Sequence, residues 1–69
     1  MNTDETQMKP VAVIAFTDLD TSDEALAIVR SSESSVVVGL SLKHNGDMQV
    51  VMKKQEARLL ADALQKAVS

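Results

Sequence analysis

The sequence predicts an α+β fold, an antiparallel β-meander of three to four strands packed by one C-terminal helix. Two patterns predict this fold. Short β-branched runs alternate with clusters of Ser, Thr, Asp, Asn and Gly, and the C-terminal part repeats apolar residues at helical spacing. A chain of 69 residues forms one domain at most, and a domain of this size buries only a marginal core.

The N-terminal part predicts a tail and then a strand. Residues 1–10 are polar, lack periodicity and end in a Lys-Pro pair, so we expect a disordered tail followed by a single domain over 11–69. The β-branched run 11–16 has the length and type of a strand. Turn-forming side chains fill 17–23 and should end that strand.

Residues 25–30 fit two structures. Thr21 and Glu24 have the spacing of a capping box, which favours a helix over 22–31 and the order βαββα. In the same segment large apolar residues alternate with alanine, and a serine cluster follows, which favours a strand. We favour the strand and keep the helix as the alternative.

Strands are predicted at 36–43 and 48–53, and the loop length between them decides which side chains share a sheet face. A two-residue Asn-Gly turn would mix polar and apolar groups on both faces. A three-residue loop at 44–46, ending in a left-handed glycine, pairs Leu40 with Val50 and separates the two kinds of side chain. We predict this loop, with a core face made of Val36, Val38, Leu40, Leu42, Met48, Val50 and Met52.

Residues 55–68 predict an amphipathic helix that should cover this core face. Lys53 and Lys54 stand where a capping residue is expected, so the helix start has no Ser, Thr or Asp to satisfy its free amides. The apolar residues of the helix form one stripe, Ala57, Leu60, Ala61, Leu64 and Val68.

The sequence offers no reaction centre. His44 is the only histidine, cysteine is absent, and no nucleophile, base and orienting acid can be assembled, so we expect no enzyme and no cofactor. Asp18, Asp20, Asp23 and Glu24 could offer oxygen ligands. Their spacing lacks the glycine and the distal glutamate of a calcium loop, so no metal site is predicted.

Some apolar residues are surplus to the predicted core. Leu59 and Ala63 lie roughly opposite the helix stripe, and Val37 and Val51 lie on the second sheet face. In a domain with so small a core, apolar residues left facing water indicate a protein contact. We therefore expect a homodimer whose contact includes Leu59, and an unidentified protein partner.

A small basic patch gives the alternative function, a weak nucleic-acid-binding module. Lys43, Lys53, Lys54 and Arg58 should lie near one another if the helix folds back over the hairpin. The net charge is −3, and Phe16 is the only aromatic residue available for stacking. Nucleic acid is thus a possible partner but not the favoured one.

Residues 36–69, a hairpin leading into a helix of the form Glu-Ala-Arg-x-Leu-Ala-x-Ala-Leu, resemble short bacterial proteins of unassigned function. The predicted architecture is also similar to that of the PC4-type single-stranded-DNA-binding proteins, which dimerise through the helix. In those proteins the binding sheet is basic and aromatic. This sheet instead offers Ser41, Gln49, Lys43 and Lys53, and neither resemblance implies an active site.

The sequence therefore predicts a small non-enzymatic module for protein–protein interaction or regulation, of the kind that phages and mobile elements use as inhibitors. Asp4 and Glu5 stand where a signal peptide would carry basic residues, and the apolar run 11–16 is too short to span a membrane. The lack of cysteine fits a reducing compartment. We expect a cytoplasmic bacterial or phage protein without a membrane partner.

Overall fold

The computed structural model describes residues 8–69, which form four antiparallel strands followed by one helix, and the predicted α+β fold is confirmed. The strands pair in chain order, so the sheet is a simple meander with β1 and β4 at its edges. The elements are β1 (Lys9–Thr17), β2 (Glu24–Ser31), β3 (Ser35–Leu42), β4 (Gly46–Lys53) and α1 (Lys54–Val68).

The ambiguous segment is a strand, and the helical alternative over 22–31 is wrong. β2 pairs with β1 on one side and β3 on the other, so tertiary pairing overrides the local helix signal. Lys9 and Pro10, expected in the tail, already belong to β1, where an irregularity between Pro10 and Ala12 shifts the register by one residue. The rest of the predicted tail, residues 1–7, lies outside the described residues.

The β3–β4 hairpin has a three-residue loop, as predicted, but the loop begins one residue earlier in the chain. The loop residues are 43–45, and Gly46 follows with φ at +89°, a conformation that glycine adopts without strain. Leu40 therefore pairs with Met48 instead of Val50. The shift is two residues, and because side chains alternate with period two, every side chain stays on its predicted face.

The register gives the sheet one apolar face and one mixed face. The mixed face combines apolar, charged and small residues, among them Arg30, Val37, Gly39, Gln49 and Val51. The other, which we call the apolar face, carries no charged side chain after the irregularity in β1. It consists of Ala12, Ile14, Phe16, Ala25, Ala27, Val29, Ser31, Val36, Val38, Leu40, Leu42, Gly46, Met48, Val50 and Met52.

The helix follows β4 without a connecting residue, since β4 ends at Lys53 and α1 begins at Lys54. The missing Ser, Thr or Asp cap is partly replaced, because the carboxylate of Glu56 accepts a hydrogen bond from the amide of Lys53 at 3.1 Å. The backbone of α1 comes close to β3 and β4 but to neither β1 nor β2. The helix thus meets only one half of the sheet.

The described part of the chain has almost no interior. Its only buried apolar residues are Ala25 and Val37. Leu40, expected in the core, stays 47% exposed, and Ile14, Phe16, Met48 and Val50 on the same face are also exposed. The expectation that α1 buries the apolar face is therefore wrong for a single chain.

Candidate interaction surface

The apolar stripe of α1 is open to solvent for most of its length. We call this surface the helix stripe, and it consists of Ala57, Leu60, Ala61, Leu64 and Val68. Exposure rises from 40% at Leu60 to 58% at Leu64 and 78% at Val68. The helix therefore loses contact with its own sheet as it proceeds.

The apolar face presents a second open surface. Near the β1–β2 and β3–β4 loops it contains a groove of about 360 Å³, lined among others by Phe16, Leu40, Leu42 and Met48. Such concave apolar surfaces are the places where proteins receive large side chains of a ligand or partner. A set of exposed apolar residues this extensive is unusual in a soluble monomer, where contiguous patches seldom exceed a few hundred Å².

The interaction residues named from the sequence do not share one surface. Leu59 and Ala63 are exposed on the helix, as the helical periodicity predicted, and Val51 is 61% exposed on the mixed face. Val37 pairs with Val51 across the strands but is buried, so it belongs to the interior and offers no contact. The accessible candidates are Leu59, Ala63 and Val51.

A buried carboxylate joins the two loops at one end of the sheet. The Asp23 side chain is only 6% exposed, and its Oδ2 accepts hydrogen bonds from the His44 amide at 2.8 Å and from the Asn45 side-chain amide at 3.2 Å. Its Oδ1 lies 2.9 Å from Nδ1 of His44. Because an ionised carboxylate only accepts hydrogen bonds, Nδ1 is the donor. We call this arrangement the loop tie.

The loop tie stabilises the charged form of Asp23. The hydrogen bond from the His44 amide is the main cause that lowers the pKa of Asp23, while burial opposes it by raising the pKa. The side chain and the charge of His44 lower the pKa further. Asp23 and His44 thus serve to fasten the β1–β2 loop to the β3–β4 hairpin.

The other acidic residues in and beside the β1–β2 loop either accept hydrogen bonds within the loop or face solvent. Oδ2 of Asp18 accepts hydrogen bonds from the Thr21 hydroxyl at 2.6 Å and from the Thr21 amide at 3.2 Å, and the hydroxyl contact is the main cause that lowers the pKa of Asp18. Asp20 and Glu24 are exposed. Within residues 8–69, no group of three or more His, Cys, Asp or Glu residues is placed to hold a metal ion.

The predicted basic patch is not assembled. Lys43 lies in the β3–β4 loop, where its ammonium group is 3.9 Å from the Glu24 carboxylate. Lys53 ends β4 at the opposite end of the sheet, and Lys54 and Arg58 follow it in the first turns of α1. The full length of β4, roughly 23 Å at 3.3 Å per residue, separates Lys43 from the other three.

Neither the loop tie nor the openness of the two apolar surfaces was predicted from the sequence. Asp23 stood out there only as a possible metal ligand and His44 only as a loop residue, and no pattern connected them. No helix within residues 8–69 is long and apolar enough to cross a membrane. No protein-family model matches the chain, and neither a curated protein nor a solved structure matches it.

Proposed function

We propose that this protein is a non-enzymatic protein-binding module that acts as a homodimer. One observation carries the proposal, the excess of exposed over buried apolar residues in the described chain. Fourteen large apolar residues are exposed, whereas the buried apolar residues are Ala25 and Val37. Since hydrophobic burial is the dominant favourable term in folding, so small an interior favours a fold that is completed by association.

The polar groups support a binding role over a catalytic one. Asp23 and His44 come nearest to an acid–base pair, but both oxygens of Asp23 are taken up by hydrogen bonds to the hairpin. This carboxylate holds two loops together and is too enclosed to meet a substrate. We also propose a cytoplasmic location, because the lack of cysteine fits a reducing compartment.

The surface proposed for the second protein is the side of α1 that carries Leu59 and Ala63. Leu59 is the most exposed leucine of the helix and lies opposite the helix stripe, so it remains accessible when the stripe is covered. Apolar anchors of this kind carry much of the energy of protein interfaces when a partner encloses them. We propose that the protein regulates or inhibits its partner by contact, as small bacterial and phage regulators do.

The test is affinity capture from bacterial lysate with the full chain and two variants. Leu59→Glu places a charge on the proposed surface, and Ser34→Glu places the same charge on the exposed β2–β3 turn as the matched control. We expect one protein to be retained by the wild-type chain and by Ser34→Glu, to be lost with Leu59→Glu, and then to bind the wild type directly after purification. Retention should change little with salt, because the contact is apolar.

Two results would contradict the proposal. Equal retention by Leu59→Glu would show that Leu59 takes no part in binding. Capture of nucleic acid with an affinity that falls steeply with salt would favour the alternative module that binds through Lys53, Lys54 and Arg58, because phosphate contacts release counterions.

A further inference from the structure

Each chain exposes two apolar surfaces that match in size. The helix stripe spans 57–68, which at 1.5 Å per residue is about 17 Å. Four strands at about 4.8 Å spacing make an apolar face about 15 Å wide. A helix laid across the four strands therefore covers the width of the sheet, and the open stripe provides the apolar side chains for that contact.

A helix cannot easily cover the sheet of its own chain. Connections between a strand and a helix that packs back on the sheet usually have two to six residues. Here β4 ends at Lys53 and α1 begins at Lys54, which leaves no residue for a reversal. The rise in exposure from Leu60 to Val68 and the separation of α1 from β1 and β2 are the structural consequences.

The available area agrees with a stable dimer. Five large residues of the apolar face and three of the helix stripe are exposed, and at roughly 180 Å² for a fully exposed leucine-sized residue they offer about 800 Å² per chain. If all eight residues are completely covered, this area reaches what each partner contributes to a standard protein interface, about 800 Å². The residues are Ile14, Phe16, Leu40, Met48, Val50, Leu60, Leu64 and Val68.

The partner must be present whenever the chain is folded. Within residues 8–69 the buried apolar residues are Ala25 and Val37, so an isolated chain has too little interior there to offset the loss of conformational entropy. A second copy is the one occupant that is made together with the chain and carries both surfaces. A two-fold arrangement then covers both, because each copy gives a helix and receives one.

We infer that two copies of this chain exchange their helices, so that α1 of each copy packs its stripe across the apolar face of the other. This inference rests on the homodimer of the proposed function and specifies its interface. Leu64 lies near the middle of the stripe and Leu40 on the central part of the apolar face, so these two residues meet between copies. The dimer contact proposed here therefore lies on the helix stripe and not at Leu59, where the sequence pattern led us to expect it. The side of α1 with Leu59 remains free for the second protein.

Cross-linking tests the exchange, because a chain without cysteine reacts only at engineered thiols. Leu64→Cys and Leu40→Cys chains are refolded together and treated with a short bismaleimide cross-linker. We expect a mixed covalent dimer. The matched mixture of Leu59→Cys with Leu40→Cys should give little product, because Leu59 faces away from the stripe. A product from Leu40→Cys alone, without the mixed dimer, would indicate sheet-on-sheet packing and overturn the exchange.

Wild-type protein supplies the measurement for the case in which a cysteine variant does not fold. Dimers made from ¹³C-labelled and unlabelled chains should show isotope-filtered contacts between the methyl groups of Leu64 and Leu40 in different copies. Contacts between these residues within one copy only would overturn the exchange. The proposed function can fail separately, when the dimer shows this interface but Leu59→Glu captures the same protein as the wild type.

Discussion

Replacing Leu40 with alanine measures how much of the apolar face is covered in solution. In a single chain Leu40 is 47% exposed, so about half of its burial energy is present. Complete burial of a leucine is worth about 1.5–3 kcal/mol, so the substitution would cost an isolated chain about 1 kcal/mol. If the helix of a second copy encloses Leu40, the loss also includes a cavity, and about 2–5 kcal/mol per chain is expected.

The assay is urea denaturation followed by circular dichroism at several protein concentrations, with Val51→Ala as the matched control. Val51 is 61% exposed on the mixed face, outside the proposed interface, so its truncation should cost less than about 1 kcal/mol. We expect Leu40→Ala to be clearly more damaging than Val51→Ala, and the unfolding midpoint to rise with protein concentration. Equal costs near 1 kcal/mol for the two substitutions, with an unfolding midpoint independent of protein concentration, would show that the apolar face stays open in solution.

Three further predictions concern the loops and glycines. Asp23→Asn should lower the melting temperature near neutral pH. Because folding lowers the pKa of the Asp23 carboxyl, the difference in melting temperature from the wild type should shrink as the pH falls below the ordinary value of 3.8. Melting curves at a series of pH values check this, and a difference that does not change with pH contradicts it. Gly46→Ala should lower the free energy of unfolding in urea by about 1 kcal/mol, because φ at Gly46 is +89°. Gly39→Ala should be nearly neutral, because a Cβ at this position meets its neighbours at 3.8 Å or more. A larger loss for Gly39→Ala than for Gly46→Ala would contradict this prediction. Millimolar calcium should leave the melting temperature unchanged, because the Asp18 carboxylate is already engaged by Thr21; a rise of several degrees would show a metal site.

The distribution of side chains on the sheet was predictable, whereas the register was not. Apolar and polar residues separate onto different faces only in pairing registers that differ from one another by an even number of residues. Two registers of this kind exist, one with Leu40 opposite Val50 and one with Leu40 opposite Met48. Both give the same two faces, so hydrophobic patterning does not distinguish them. The observed register depends on the loop at 43–45, whose conformation is a local matter of backbone hydrogen bonds and of the glycine that follows.

The meander topology explains both the missed loop tie and the wrong basic patch. In a meander the β1–β2 and β3–β4 connections lie at the same end of the sheet, so Asp23 and His44 are brought together. The start of α1 lies at the other end, and Lys53 is therefore distant from Lys43. Both outcomes follow from the predicted strand order and could have been obtained from the sequence by considering the ends of the strands.

The position of the helix relative to the sheet was beyond the sequence pattern. An amphipathic stripe shows that a helix needs an apolar partner, but it does not say which copy of the chain supplies it. The deciding feature is the junction, where the predicted helix begins at 55 and the observed one at Lys54, directly after β4. The predicted elements left only residue 54 as a connection and the structure leaves none, whereas a return to the same sheet usually takes two to six residues.

Sedimentation equilibrium of the wild-type chain tests most directly whether association completes this fold. One chain has a mass of 7.4 kDa, and we expect twice this mass at micromolar concentration. Folded structure should be lost when dilution or Leu64→Glu separates the copies. A chain that sediments at 7.4 kDa up to near-millimolar concentration and still unfolds in one cooperative transition would show that the fold is complete without a second copy.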